Sequence, residues 1–408
     1  MTEQMNVPKL RFGEFDGIWL SDSVGNIFDI KAGGDIDKEN VSDVRNEKFP
    51  YPVFANAEKK KGLYGYSDLY KVDPPCLTVA GRGVNIGIAH ARFERFYPIV
   101  RLLTLKPKKE QDVKFHEYVF NRLNIFVEST GVPQLTGPQI SSYRVALPAH
   151  PEQQKIASFL SKVDEKITLL TEKKDKLTEY KKGVMQQLFN GKWKEQDGQL
   201  IFIPPTLRFK ADDGSEFPDW EEKKLGSLAD LTSSKRVYLS DYSEDGVPFF
   251  RGKEISEIRK GIIPDDVLYI TRKAFEEFKS KYGAPVEGDI LVTAVGTLAN
   301  ILRVTGEFEF YFKDGNLIWL RKPRCDSKFL SILMEANKHE LLKTAIGSSQ
   351  KALTIVELKK IVFKMPSLEE QQKITMFLSS LEEKVRLANS ELEKAKEWKK
   401  GLLQQMFV

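Results

Sequence analysis

Residues 366–408 say again, without a gap, what residues 148–190 have already said. Pro148-A-H-P-E-Q-Q-K-I-A-S-F-L matches Pro366-S-L-E-E-Q-Q-K-I-T-M-F-L under a shift of 218 positions, and the register still holds where Tyr180-K-K-G-V-M-Q-Q-L-F meets Trp398-K-K-G-L-L-Q-Q-M-F. Identity over the paired segments is 20 of 43 positions, so the chain is built twice. Apolar residues in each copy recur with a period of 3.5. Positions a are Ile156, Val163, Leu170, Leu177 and Val184 in the first copy, and Ile374, Leu381, Ala388, Ala395 and Leu402 in the second. Positions d are Leu160, Ile167, Lys174, Lys181 and Leu188, then Leu378, Val385, Leu392, Lys399 and Met406. A seam kept over about five heptads predicts a coiled coil. Glu152 and Glu370 fall in the first turns, at the positive end of each helix dipole, and neither helix contains an internal proline. Each apolar stripe is too narrow for a buried core helix, so the stripes are expected to meet each other. The alternative is that each packs on its own globular neighbour.

A chain of 408 residues accommodates two or three domains, and 41% hydrophobic with 30% charged residues is ordinary for a globular protein. No apolar run approaches membrane-spanning length, and the opening M-T-E-Q-M-N lacks a charged and then apolar leader. A cytoplasmic protein without membrane contact is expected. Cys76 and Cys325 stand far apart and read as two reduced thiols. The net charge of +5 is mild, and charge alone would not indicate a nucleic-acid partner.

Two large segments precede the repeated helices, which divides the chain into residues 1–147, a first helix 148–190, a connector 191–204, residues 205–365 and a second helix 366–408. The segments share their edges. Leu10-R-F and Leu207-R-F stand near their starts, followed by Trp19 with Gly25 and Trp220 with Gly226 at the same interval. Gln134-L-T-G-P-Q-I and Ala352-L-T-I-V-E-L stand near their ends under the shift of 218. Only fragments align between, such as Leu77-T-V-A-G-R-G with Leu291-V-T-A-V-G-T. Both segments read as α+β. Strands are predicted at Pro75-C-L-T-V-A, Ile99-V-R-L-L-T-L, Asp289-I-L-V-T-A-V and Leu317-I-W-L, and helices at Phe115-H-E-Y-V-F-N-R-L and Phe329-L-S-I-L-M-E-A-N. Turns are predicted at Lys31-A-G-G-D, Ala80-G-R-G, Thr130-G-V-P, Asp212-D-G-S and Lys313-D-G-N.

Enzyme signatures fail one by one. His90, His116, His150 and His339 form no i, i+4 pair and have no cysteine beside them, which argues against a metal site. Gly81-R-G-V-N-I-G places its third glycine one residue late for a dinucleotide loop, and Gly246-V-P-F-F-R-G-K-E carries Glu254 where a phosphate loop needs Ser or Thr. Asp73-P-P-C puts a cysteine where an adenine methyltransferase would stack an aromatic ring. Pro218-D-W-E-E-K crowds its E-x-K beside the aspartate, unlike a nuclease.

Two diverged segments, each followed by P-x3-E-Q-Q-K-I and closed by K-K-G-x2-Q-Q-x-F, resemble the specificity subunit of a type I restriction-modification enzyme. The resemblance covers the whole chain and rests on Glu152 to Ile156, Glu370 to Ile374, Leu135-Thr136 and Leu353-Thr354. It implies two α+β target-recognition domains separated by two long helices paired as an antiparallel coiled coil with pseudo-two-fold symmetry. It also implies a chain with no catalytic centre and no cofactor of its own. Double-stranded DNA, two methyltransferase subunits using S-adenosylmethionine and two translocating nuclease subunits using ATP and Mg would be its partners. The target would be bipartite and asymmetric, one half-site per domain, with a spacer measured by the helices. About 38 helical residues reach roughly 57 Å, or at most about 17 base pairs. Candidate DNA contacts, chosen as basic or amide side chains in turn-rich stretches, are Asn56, Lys59, Lys60, Arg82, Asn85 and Gln134 in the first domain. In the second they are Lys235, Arg236, Arg251, Lys253, Lys313, Gln350 and Lys351. For each, the plain alternative is a solvated loop residue. Two rival readings are a coiled-coil scaffold without a DNA role and a stand-alone DNA-modifying enzyme.

Overall fold

The computed structural model describes residues 7–57, 59–125, 133–190, 192–196, 199–203, 205–348 and 350–408. The predicted turn Thr130-G-V-P falls mostly outside them. The chain forms two compact units that cut across its linear order: Met1–Lys173 with Ala388–Val408, and Lys174–Leu387. Each unit therefore holds one globular domain, the first part of one long helix and the last part of the other.

The long helices run His150–Phe189 and Leu368–Met406, 40 and 39 residues. In the first unit Ile156, Leu160 and Val163 are buried in one cluster with Leu402, Met406 and Phe407. Asp164 meets Lys399 at 2.5 Å and Lys173 meets Glu391 at 3.2 Å, so a step forward on one helix is a step back on the other. In the second unit Val184 and Leu188 share a cluster with Ile374, Leu378 and Leu381, and Lys181 meets Glu382 at 3.1 Å. The stripes thus meet in each unit, antiparallel. Ile167, Leu170, Leu177 and Val385 are half-buried, and the lysines at d keep their ammonium groups at the edge of the seam while their stems cover it.

The globular part of the first unit has an antiparallel sheet in the order Phe28–Ala32, Leu103–Pro107, Cys76–Val79, Ala89–Arg92. A second sheet runs Val41–Ser42, Leu63–Ser67, Tyr51–Phe54, Tyr97–Pro98, its last pairing parallel. The second unit repeats both orders. Its first sheet is Asp230–Thr232, Leu317–Arg321, Ile290–Thr293, Ile301–Arg303. Its second is Tyr242–Ser243, Leu268–Ile270, Val247–Phe250, Tyr311–Phe312, again with a parallel last pair. A two-stranded ribbon joins the ends of each domain: Leu20–Ser23 with Arg144–Leu147, and Glu221–Lys224 with Val362–Met365.

Two sequence expectations are corrected. The segments expected to share only their edges share their whole topology. The strand expected from Ile99 begins at Leu103, because Val100 and Arg101 turn with φ of 53° and 59°. The connector contains a hairpin pairing Lys192–Gln196 with Gln199–Ile203. The predicted helices form as Val113–Phe120 and Ser327–Ala336, capped by the side chains of Asp112 and Asp326.

Candidate nucleic-acid interface

The repeated motifs turn out to be the two halves of a clamp. Arg11 donates through Nε and Nη2 to the two oxygens of Glu152, both at 2.7 Å, and the Trp19 indole N–H donates to the same carboxylate at 3.4 Å. In the second unit Arg208 donates to Glu370 at 3.0 and 2.7 Å and Trp220 donates at 3.1 Å. Glu152 and Glu370 are 1% and 0% exposed, so their partners must replace water entirely. The hydrogen bond to Glu152 raises the pKa of Arg11, and that to Glu370 raises that of Arg208. The next residue continues the pattern. Gln153 donates to the Pro148 carbonyl and accepts from the Asp112 amide; Gln371 donates to the Pro366 carbonyl and accepts from the Asp326 amide. The motif lysines then pair with the N-terminal stretches, Lys155 with Glu14 at 3.1 Å and Lys373 with Asp212 at 2.6 Å. Glu152 and Glu370 thus do more than suit a helix dipole: the motif locks each globular domain to the start of its helix.

Clamped in this way, each domain presents a set of loops. In the first, Lys59 and Lys60 are exposed on the turn Lys59–Gly62, where Lys60 and Lys61 are left-handed at φ of 50° and 53°. The turn is held from beneath by Arg92, which donates to the Lys61 carbonyl at 2.7 Å and lies 3.6 Å from the centre of the Phe54 ring. Burial lowers the Arg92 pKa to about 10. Arg82 is exposed and sits in a β-bridge with half-buried Gln134. Asn85 is half-buried, and its carbonyl accepts from Ile88. Asn56 ties loops together: its amide donates to the Val100 carbonyl at 2.5 Å and accepts from the Gly81 N–H at 2.9 Å.

In the second domain Lys235 lies 5.4 Å from the centre of the Tyr282 ring, and Arg236 pairs with Asp314 at 3.2 Å while staying two-thirds exposed. Arg251 is likewise engaged within the domain. Its guanidinium chelates fully buried Glu254, whose hydrogen bond raises the Arg251 pKa, and it holds the start of the helix Gly252–Arg259. Lys253 reaches Asp266 at 3.4 Å and lines a groove of about 580 Å³ together with Arg251, Ser256, Lys260, Thr297 and Asn316. Lys313 is exposed on the turn whose amide donates to Phe250. Gln350 and Lys351 are exposed between the bridged residues Ile346 and Ala352. Leu353 donates to the carbonyl of Ala294, which brings their loop to the root of that groove. Arg11, Arg208 and Arg92 were not among the expected functional residues. The doubled L-R-F and tryptophan landmarks were visible, but their partner 133 to 162 residues away was not.

No helix among the described residues is long and apolar enough to cross a membrane. A doubled α+β recognition scaffold on an antiparallel helix pair is the class this fold and its clamps define. The chain belongs to the type I restriction modification DNA specificity domain family, whose pattern matches residues 19–179 and 218–397. It is 27% identical over 317 residues to the type I restriction enzyme MjaVIII specificity subunit of Methanocaldococcus jannaschii, covering 72% of this chain and 71% of that protein. The putative MjaX specificity subunit of the same organism is 26% identical, covering 79% and 70%. The crystal structure of a type I restriction-modification S subunit from M. genitalium has the same fold, with a TM-score of 0.61 at 17% identity over 98% of this chain and 99% of that one. The family is one of recognition.

Proposed function

We propose that this chain supplies DNA sequence specificity to a type I restriction-modification assembly and performs no chemistry itself. The observation that carries this reading is the contrast inside the duplication: the clamp and both sheet orders are kept, while the loops presented by them differ in length, charge and conformation. A frame that must pack the same way twice around surfaces that must differ suits a reader of two unlike half-sites. Methyl transfer from S-adenosylmethionine then belongs to two methyltransferase subunits, and ATP- and Mg-dependent translocation and cleavage to two nuclease subunits. Exposed Leu169, Tyr180, Met376 and Trp398 on the long helices offer apolar contact for such subunits. The helices, about 60 Å long each at 1.5 Å per residue, set the unread spacer.

The test is to express the chain with a matched methyltransferase in a host free of other adenine methylation and to sequence the methylome. A bipartite, asymmetric motif is expected, and inserting four residues near Lys173 and near Leu387 should lengthen its spacer and leave both half-sites unchanged. A scaffold without a DNA role predicts no motif and no salt-dependent binding to duplex.

A further inference from the structure

Three loops of the first domain converge on Gly81. Its N–H donates to Asn56 Oδ1, whose amide holds the Val100 carbonyl, and its own carbonyl accepts from Leu135 at 2.8 Å. A Cβ at Gly81 would stand 2.8 Å from the Arg101 carbonyl oxygen and 3.2 Å from that of Leu135, so only glycine allows this approach. The side chains gathered here are Arg82, Arg101 and Gln134. Arg82 and Gln134 are bridge partners, and partners across an antiparallel bridge project to one side about 5 Å apart. Arg82 and Arg101 are exposed, and among the described residues neither meets a carboxylate. Of the other arginines of this unit, Arg11, Arg45 and Arg95 pair with carboxylates, Arg92 and Arg144 donate to backbone carbonyls and Arg122 lies over the Phe407 ring.

The second domain shows that Arg101 is not needed for the turn. There the Lys313 amide donates to Phe250 as Ile99 donates to Phe54, and the next two residues are Asp314 and Gly315. Gly315 takes φ of 71° without a Cβ to strain, whereas Arg101 adopts 59° with a full side chain. Glycine would be the comfortable residue at this place, and the first domain carries an unpaired guanidinium instead.

We propose that Arg101 is a base-reading residue of the first half-site. Arg101 and Arg82 present two guanidinium forks to guanine O6 and N7 in the major groove, and Gln134 presents its amide to a neighbouring adenine. This rests on the chain being a DNA-specificity subunit, and the experiment separates the two. The full chain, its R101A, R101K and R101G variants, and an R236A control in the second domain are each expressed with the methyltransferase, and their methylomes are sequenced. R101A should cut discrimination at one base pair of the first half-site about 10- to 100-fold and leave the second half-site untouched, and R101K should not restore it, since an ammonium cannot form the fork. R236A should leave the first half-site as it is. A native motif from R101A, or full rescue by R101K, overturns the assignment, the latter by making Arg101 a phosphate contact. If R101A abolishes methylation, R101G decides, because it relieves the left-handed backbone. Continued loss with an unchanged melting curve supports base reading, and a native motif overturns it. A native chain that directs no bipartite motif overturns the DNA-reading function itself, and this assignment with it.

Discussion

The two globular domains share every sheet order and differ most where their sheets turn. Between the central strands of the second sheet, the first domain makes the short turn Lys59–Gly62, while the second makes the helix Gly252–Arg259 and a longer return. Before the next strand the second domain adds the helix Arg272–Tyr282, where the first runs through residues 68–75 without one. A difference also lies inside. Aligned on the capping residues Asp112 and Asp326, buried His116 of the first domain stands where the second has buried Leu330. The comparison teaches that duplication preserves whatever is fixed by buried hydrogen bonds to the helix, and frees whatever faces outward or can be repacked.

Its strongest form is that the two clamps are energetically equivalent. Glu152→Ala and Glu370→Ala should each cost about 3 kcal/mol, because each strands a half-buried guanidinium and a buried indole N–H. Hydrogen exchange resolved by domain should show each variant loosening only its own unit. A large cost on one side alone would break the equivalence.

The next prediction concerns the interior difference. Burial lowers the His116 pKa to about 3, with Nε2 bonded to Gln111 at 2.8 Å and the rings of Phe28, Phe115 and Phe120 around it. An unfolded histidine titrates near 6.5, so between that value and about 3 the unfolded chain binds the extra proton. The stability contributed by neutral His116 is therefore complete above pH 6.5 and is lost as the pH falls. By pH 5 the first domain should lose about 2 kcal/mol on this account, and H116L, which copies the second domain, should abolish that loss. Glu117 acts at lower pH. Burial alone would raise its pKa, but the Lys114 ammonium at 2.8 Å and the Ala91 N–H at 3.2 Å, with the His90 ring 3.7 Å away, hold it at about 2, so its contribution fades from about 4.5 downward. Equal acid sensitivity of the two units at pH 5 would remove His116 from the account.

A smaller effect separates the loop ties. Asn56→Ala leaves the Gly81 N–H and the Val100 carbonyl without their partner, which should cost about 1–3 kcal/mol and speed amide exchange in residues 81–87 and 99–101. The second domain uses a weaker tie, the Ser233 hydroxyl, which accepts from the Gly315 N–H at 3.3 Å and donates to the Leu317 carbonyl at 3.1 Å. Ser233→Ala should therefore cost less, about 0.5–1.5 kcal/mol.

How much of this was legible in the sequence depends on the range of the interaction. The helix seam was legible because its partners recur every three or four residues: Ile156, Leu160, Val163, Leu378 and Leu381 are all buried as their spacing requires. The clamp was half legible. The repeated Arg11, Trp19 and Glu152 could be seen, but nothing local says that one carboxylate serves both the others. The common sheet topology was barely legible, since between the domain edges only fragments align, such as Leu77-T-V-A with Leu291-V-T-A in two strands buried on every residue. Among the candidate contacts, the residue types suited to DNA were also those suited to holding loops. Asn56 and Arg251 were chosen for amide and guanidinium groups that the fold uses internally, and Arg101 was hidden inside a stretch that reads as strand.

The smallest expected difference lies in the seam. Lys181 and Lys399 both occupy d positions and both reach an acid on the facing helix, but their surroundings differ. The Lys181 partner Glu382 is 65% exposed, so that pair is screened by water and Lys181→Ala should change stability by less than about 0.5 kcal/mol. Asp164, the partner of Lys399, is 31% exposed and also accepts from the Tyr118 hydroxyl at 2.6 Å, while the Lys399 ammonium lies 5.6 Å from the centre of the Tyr118 ring. Burial and the bond to Asp164 push the Tyr118 phenol pKa up, so the phenol stays protonated as the donor. Lys399→Ala should cost about 1 kcal/mol, and a double-mutant cycle with Tyr118→Phe should show coupling that the Lys181 pair lacks. Equal and negligible costs would mean that the first unit draws nothing from this network, and that the two ends of the seam are held by their apolar stripes alone.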